Sequence, residues 1–186
     1  MKKNFLTLVP LMLFSCASGT YIREGYPPLQ AVEKIELSRY LGRWYEIARF
    51  PFVFEDGLVN TTATYSLQPD GNIRVLNEGY RDSPTGKKAT ARGWAWVPDP
   101  ARTAKLKVSF FGPFSSDYWV IMLDEENYSY AVVGTGYKYL WILSRTPVME
   151  ADLYDRLVAR AAELGYDTSR LFKVPQQWTE TKTATP

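Results

Sequence analysis

Residues 42–46 read Gly-Arg-Trp-Tyr-Glu and open the first stretch of the chain that has the pattern of a β-strand. A second run, Trp141 to Arg145, closes the last such stretch. The first run carries a large indole and the second ends in a guanidinium, and a cation over an indole face contributes roughly 0.5–2 kcal/mol. This pairing predicts a sheet whose first and last strands meet.

Between these two runs, short apolar and β-branched segments alternate with turn residues such as Pro69-Asp70-Gly71. Because each connection is short, successive strands should be antiparallel neighbours. Eight such strands can close into an up-and-down β-barrel that holds one small ligand. We predict strands near 43–50, 59–68, 72–81, 88–97, 104–111, 117–124, 128–134 and 138–144.

After the last strand the apolar period becomes helical. Thr146-Pro147 is a typical helix start, and Gly165 ends the run, which predicts one helix over about 147–164. The fold class is therefore all-β with one C-terminal α-helix. We expect a single barrel domain over 32–178, with a short helical turn near 37–41, a possible further strand near 171–174 and a flexible tail over 179–186.

The amino terminus has the composition of an export signal. Two lysines precede an apolar run, and Ser15-Cys16-Ala17 supplies small residues at a cleavage point, so residues 1–15 are predicted to be a signal peptide. The chain's single cysteine stands at that point, which favours a lipoprotein signal with Cys16 as the acylated residue. Residues 16–31, rich in Ser, Gly and Pro, would then form a tether. An ordinary signal peptide with an incidental cysteine is the alternative.

Composition excludes several kinds of chemistry. The chain has no histidine, which removes His-dependent nucleophilic catalysis and His-ligated zinc, and one cysteine cannot form a metal cluster. We predict no catalytic residues, no metal and no cofactor. Removing residues 1–15 leaves 20 basic against 20 acidic side chains. Without net charge or a basic stripe, nucleic-acid binding has little support.

Strand alternation predicts which side chains face the inside of the barrel. If Trp44 faces inward, its neighbours two and four positions away do too, and similar counting applies to the other strands. A one-residue slip would reverse each assignment. The candidate ligand-binding residues are Glu46, Ala48, Phe50, Ala63, Tyr65, Val75, Asn77, Gly93, Ala95, Val108, Phe110, Tyr118, Val120, Met122, Tyr139 and Trp141.

Some of these residues have more than one interpretation. Trp44 could stack on a ligand, but filling the barrel floor is the favoured reading. A buried Glu46 must be paired, hydrogen-bonded or protonated, and it could contact either a ligand or a structural partner. Tyr118 and Tyr139 could donate to a head group near the pocket mouth, or they could simply line the wall.

The chain resembles the lipocalin family, and in particular its bacterial outer-membrane lipoprotein branch. The resemblance rests on residues 42–50, 109–114 and 139–147 and covers about 37–174. It implies that Gly42, Trp44 and Arg145 are structural signature residues at the bottom of the barrel. Residues 13–16 resemble a lipoprotein processing box, and because Ala17 rather than Asp follows the cysteine, the resemblance implies the outer membrane.

This resemblance predicts a non-enzymatic carrier, anchored to the periplasmic side of the outer membrane. Its ligand would be a fatty acid, a lysophospholipid or a similar small amphiphile. Two alternatives stay open: an enzyme of the lipocalin type acting on an apolar substrate, and a scaffold whose surface binds an envelope protein. An apolar group near a loop, Phe110, Phe111 and Phe114, could serve membrane approach or a homodimer, although core packing accounts for part of it.

Overall fold

The computed structural model describes residues 20–178. The predicted signal peptide, Cys16 and the C-terminal tail lie outside these residues. Two helices and nine strands are present in the described chain. They are α1 (Leu37–Tyr40), β1 (Gly42–Arg49), β2 (Leu58–Leu67), β3 (Ile73–Arg81), β4 (Lys88–Trp96), β5 (Lys105–Phe111), β6 (Phe114–Leu123), β7 (Tyr130–Thr135), β8 (Tyr139–Ser144), α2 (Ala151–Glu163) and β9 (Phe172–Lys173).

The first eight strands form a closed antiparallel barrel. Each pairs with the next along the chain, and β1 pairs with both β2 and β8, which closes the cylinder. Strand β9 adds two residues to the outer end of β1. The predicted fold class, an eight-stranded up-and-down barrel with one C-terminal helix, is confirmed. Among residues 20–178, no helix has the length and apolar character needed to cross a membrane.

Apolar side chains form two layers, one inside the barrel and one between the barrel and α2. The inner layer is built around Trp44, with Val75 and Val120 among its members. In the outer layer, Leu157 and Ala161 of α2 pack against the outside of strands β1, β6, β7 and β8. The helix therefore covers one wall and leaves the two ends of the barrel to the loops.

Helix α2 begins later than the sequence predicts, at Ala151 rather than near 147. The hydroxyl of Thr146 donates to the carbonyl of Val148, which holds a turn in place of a helical cap. The chain needs this turn to leave the closed end of the barrel and reach its wall. The helix ends at the predicted place, because Gly165 takes a φ of +95°, a conformation that favours glycine.

Two β-bulges reverse the expected orientation of three predicted inward residues. In β1, Glu46 pairs with Leu143 but Ala48 pairs with Ile142, so Ile47 is an extra residue. Beyond it the alternation changes sides, and Ala48 and Phe50 lie in the outer layer under α2. Their predicted inward orientation is wrong.

Strand β6 contains the second bulge. Val120 pairs with Val133 and Met122 with Val132, which leaves Ile121 as the extra residue. Met122 consequently packs with the outer layer, and Leu123 faces the inside instead. The predicted inward orientation of Met122 is also wrong, for the same physical reason.

Arg145 closes one end of the barrel, which we call the closed end. Its guanidinium carbon lies 3.8 Å from the centre of the Trp44 ring, and Trp44 is fully buried. The same guanidinium donates to the carbonyls of Arg39 (2.6 Å), Arg43 (2.8 Å) and Tyr40 (3.1 Å). One side chain thus joins the end of β8 to α1 and to the start of β1.

Gly42 is required where the chain enters β1. Its φ of +91° lies in the region that disfavours side chains, and a Cβ there would stand 3.5 Å from a guanidinium nitrogen of Arg145. A glycine at this position lets the chain turn into the first strand directly beneath the arginine. The geometry agrees with the structural role that the resemblance implies for Gly42, Trp44 and Arg145.

Residues 20–31 lie against the outside of the barrel. Tyr21 donates to the carboxylate of Asp117 on β6, and its ring meets that of Trp119 edge-on at 5.0 Å. Leu29 is almost fully buried, and the amide of Val32 donates to the carbonyl of Val120. This part of the expected tether is therefore packed on the wall, near the turn between β7 and β8.

The arginine at the closed end gives a first prediction. Replacing Arg145 with alanine should lower the free energy of unfolding by about 2–4 kcal/mol, since charged hydrogen bonds to several backbone carbonyls and the contact with Trp44 are lost together. Arg145→Lys should recover little, because an ammonium cannot reproduce the planar fork. Urea unfolding measures both.

The matched control is Arg43→Ala, whose side chain is exposed one position from Trp44. It should change the free energy of unfolding by less than about 0.5 kcal/mol. Equal effects of the two alanine substitutions would contradict the assigned role of Arg145.

Candidate ligand-binding cavity

A cavity of about 480 Å³ occupies the end of the barrel opposite Arg145, which we call the open end. This volume lies within the range of ordinary small-molecule sites, roughly 300–1,000 Å³. The cavity is lined by Glu46, Phe52, Phe54, Glu55, Leu58, Thr61, Thr62, Asn77, Glu78, Arg81, Ala89, Thr90, Ala91, Arg92, Phe110 and Phe111.

Small side chains on β4 make room for the cavity. Ala91 pairs with Asn77 and Ala89 with Gly79, which places both alanines on the inner side of the barrel. Deeper on the same face, a Cβ on Gly93 would stand 2.8 Å from the ring of Phe110, so glycine lets that ring lie across the barrel. One wall therefore contributes almost no volume, and the space in front of it stays open.

A layer of tyrosines fills the barrel below the cavity. The hydroxyl of Tyr118 lies 2.7 Å from that of Tyr40 and 2.8 Å from that of Tyr65. The Tyr40 ring in turn packs on Trp44 at 5.2 Å. Burial raises the pKa of all three phenols, so they stay protonated and bond to one another. A ligand that enters from the open end should stop at this layer.

The polar wall of the cavity is a buried ion cluster. Arg49 lies between two carboxylates: its Nη1 is 3.0 Å from Oε1 of Glu46, and its Nε is 3.7 Å from Oε2 of Glu55. Trp141 donates to the Glu55 carboxylate at 3.3 Å. Arg49 is 2% exposed and Glu46 is 6% exposed. The bulge at Ile47 explains the cluster, because it turns Arg49 to the same inner side as Glu46.

One cation cannot neutralise two carboxylates, and burial penalises the second charge. Burial raises the pKa of Glu46 to about 8; repulsion from Glu55 adds to the rise and Arg49 opposes it. Burial also raises the pKa of Glu55, again against Arg49. At neutral pH the two carboxyls should therefore retain one proton between them, which leaves the cluster close to neutral and able to donate one hydrogen bond.

Asn77 faces the ion cluster from β3 as a further polar group in the lining. Its Oδ1 is buried and finds no hydrogen-bond partner among residues 20–178. An unpaired buried acceptor costs free energy, and a ligand that supplied a donor would recover it. The arrangement combines a small polar region with apolar walls, which suits an amphiphile.

Aromatic rings surround the mouth of the cavity. The ring of Phe52 lies 5.1 Å from Tyr139 and 5.3 Å from Phe54, and Phe54 lies 5.6 Å from Phe111. Phe52 and Phe54 come from the loop between β1 and β2, whereas Phe111 comes from the end of β5. The two loops meet at one side of the mouth, so an apolar ligand entering there would pass over ring faces.

The candidate ligand-binding residues fall into three groups. Three of them line the cavity: Glu46, Asn77 and Phe110. Ten face the interior but belong to the floor, the lower wall or the rim: Ala63, Tyr65, Val75, Gly93, Ala95, Val108, Tyr118, Val120, Tyr139 and Trp141. Three lie outside the barrel, as described above: Ala48, Phe50 and Met122.

Tyr118 is also not where its suggested head-group role requires it. It lies in the tyrosine layer far from the mouth, and its hydroxyl is already bonded to Tyr40 and Tyr65. Tyr139 does lie at the rim, against Phe52. Of the two tyrosines, the structure leaves Tyr139 alone in reach of a head group.

Several lining residues escaped sequence reasoning. Arg49, which belongs to the ion cluster and not to the lining, was missed because nothing in the sequence marks the bulge at Ile47. Phe52, Phe54 and Glu55 lie on a loop, where strand alternation makes no prediction. Ala89 could have been found by extending the count from Gly93 and Ala95 back along the strand.

Comparison with known proteins agrees with this geometry. A family model described as a lipocalin-like domain matches residues 35–176. The chain is 44% identical over 179 residues to the outer membrane lipoprotein Blc of Vibrio cholerae serotype O1, covering 95% of this chain and 100% of the relative. The chain belongs to the lipocalin family.

Other lipocalins support the same membership. Temperature-induced lipocalin-1 of Arabidopsis thaliana is 45% identical over 158 residues, which is 80% of this chain and 83% of the relative. Among solved structures, insecticyanin from the tobacco hornworm Manduca sexta superposes with a TM-score of 0.64 at 25% identity, covering 83% of this chain and 87% of that one. The predicted family, including the resemblance to bacterial outer-membrane lipoproteins, is confirmed.

The ion cluster predicts a pH dependence of stability. Between about pH 4.5 and about pH 8 the folded chain should hold a proton on Glu46 that the unfolded chain has lost, so the free energy of unfolding should fall as pH rises through this window. Glu46→Gln, which cannot ionise, should remove this fall. Urea titrations at pH 5.5 and 8.5 should show the substituted chain gaining on the order of 1–3 kcal/mol relative to the original across that range.

The control is Glu163→Gln, an exposed carboxylate paired with Arg160 on α2. It should leave the difference between the two pH values unchanged. If Glu46→Gln shows the same pH slope as the original chain, the retained proton does not lie on this cluster.

Proposed function

We propose that this lipocalin binds, stores or transports a fatty acid, a lysophospholipid or a similar small amphiphile while anchored by lipid to the periplasmic side of the outer membrane. The observation that carries the proposal is the open cavity, which combines apolar walls with one polar region. Relatives that are 42–44% identical are named outer membrane lipoproteins, which supports the cellular address.

The orientation of the ligand follows from the cavity. Its alkyl part would lie against Leu58, Ala91 and Phe110, above the tyrosine layer. Its polar part would lie toward Glu46 and Asn77 or at the mouth beside Tyr139. Such burial removes apolar surface from water at roughly 25 cal/mol per Å². The residues that line the cavity include no His and no Cys, and binding an amphiphile requires neither.

A cavity-filling variant tests the binding site. Ala91→Trp places an indole where β4 now leaves space, and it should weaken saturable binding of a fluorescent fatty-acid probe at least about tenfold. The protein would be residues 16–186 with Cys16→Ser, which contains every residue that the structure describes. Arg74→Trp, on the exposed outer face of β3, is the matched control and should bind the probe normally.

Urea unfolding of both variants separates lost binding from lost folding. Probe binding that is unsaturable, or that cannot be displaced by unlabelled fatty acid and lysophospholipid, would refute the carrier proposal. Mass spectrometry of lipids that are released from protein purified out of its own host would then identify the natural ligand class.

The membrane address has its own test. Cys16→Ser should move the protein from the outer-membrane fraction to the soluble periplasmic fraction, because the acyl chains that hold it are no longer attached. Ala17→Asp should keep the anchor and shift the protein toward the inner membrane, as the lipoprotein resemblance implies. An unchanged outer-membrane location of Cys16→Ser would contradict acylation at this residue.

A further inference from the structure

We propose that the open end of the barrel docks onto a phospholipid bilayer through an aromatic rim, defined as Val53, Phe54, Phe111 and Phe114. These four side chains are 63–79% exposed. They come from two loops that meet beside the cavity mouth, where Phe54 and Phe111 are in ring contact. Clustered exposed apolar residues on a folded domain mark a surface that is covered in use.

The rim is suited to a bilayer because the cavity mouth lies directly beside it. Phe54 and Phe111 belong both to the rim and to the cavity lining, so the apolar surface runs without interruption from the outside into the pocket. Inserted among lipid head groups, these rings would place the mouth at the level where an acyl chain leaves the membrane.

Charged side chains at the open end can also meet lipid head groups. Three exposed cations, Arg81, Lys87 and Lys138, lie there beside two exposed carboxylates, Asp56 and Asp82. Anionic head groups attract cations near the membrane surface at roughly 1 kcal/mol each.

The short segment between Cys16 and Tyr21 also favours the open end. Tyr21 is fixed to Asp117 on the wall of the barrel, and Cys16 lies five positions before it. Five residues span at most about 18 Å. Along β6, Phe114 at the rim is about 10 Å from Asp117, whereas Leu123 near the closed end is about 20 Å away. The Tyr21 ring also lies against Gly136, in the turn between β7 and β8 at the open end, so an anchor at Cys16 is closer to the open end than to the closed end.

The position of the anchor depends on the proposed acylation of Cys16, whereas the aromatic rim and the charged side chains do not depend on it. Docking can therefore be tested without the anchor. Residues 16–186 with Cys16→Ser would be floated with vesicles made of equal parts of phosphatidylethanolamine and phosphatidylglycerol. The chain should bind these vesicles, and Val53→Ser combined with Phe114→Ser should weaken binding at least about tenfold, since the membrane contact loses two exposed apolar side chains.

The matched control is Leu67→Ser combined with Val148→Ser, two side chains that are 56% and 71% exposed at the closed end. It should bind the vesicles as the parent does. Equal binding of the rim variant and the parent, or no binding by the parent, would overturn the proposal. So would sedimentation that shows a dimer of the parent which the rim variant loses while vesicle binding persists, because the rim would then cover a second copy.

Parallel titrations with the fatty-acid probe keep the two proposals separate. The rim variant should retain saturable probe binding, because neither Val53 nor Phe114 lines the cavity. Loss of vesicle binding with retained probe binding supports docking. Absence of probe binding in the parent would count against the carrier function and leave the docking result standing.

Discussion

The closure of the barrel depends on one side chain that joins three segments from both ends of the chain. The guanidinium of Arg145 covers Trp44 and donates to the backbone carbonyls of Arg39, Tyr40 and Arg43 at the turn into β1. Hydrogen bonds from a charged donor are stronger than those between neutral groups. With this end fixed, β1 lies between β2 and β8, and the sheet has no open edge there.

Because packed side chains fill one end of the barrel, the cavity and its polar groups lie at the other end. Trp44 and the tyrosine layer fill the half of the barrel near the closed end. The space that remains is bounded by the side chains that the strands direct inward near the open end. The bulge at Ile47 determines the most unusual part of that boundary. Without it Arg49 would point outward, and Glu46 would be buried without its cation.

The fold was accessible from the sequence because its signals are local and repeated. Turn residues divide the strands, and the helical period ending at Gly165 identifies α2. The cavity was less accessible, since inward orientation depends on register. Counting succeeded on β2 to β5 and failed after Ile47 and Ile121, where a bulge shifts the pairing and no residue type announces it. The loop that carries Phe52 and Glu55 follows no period at all.

Strand β4 shows how the volume of the cavity could differ between related proteins. Its inner face consists of alanine and glycine residues. None of them belongs to the layer beneath α2, and none is a hydrogen-bond partner of Arg145. Larger side chains in place of Ala89 or Ala91 would reduce the volume of the cavity without disturbing those contacts, whereas a Cβ on Gly93 would stand 2.4 Å from the carbonyl oxygen of Ser109. The size of the cavity and the closure of the barrel are thus determined largely by different residues.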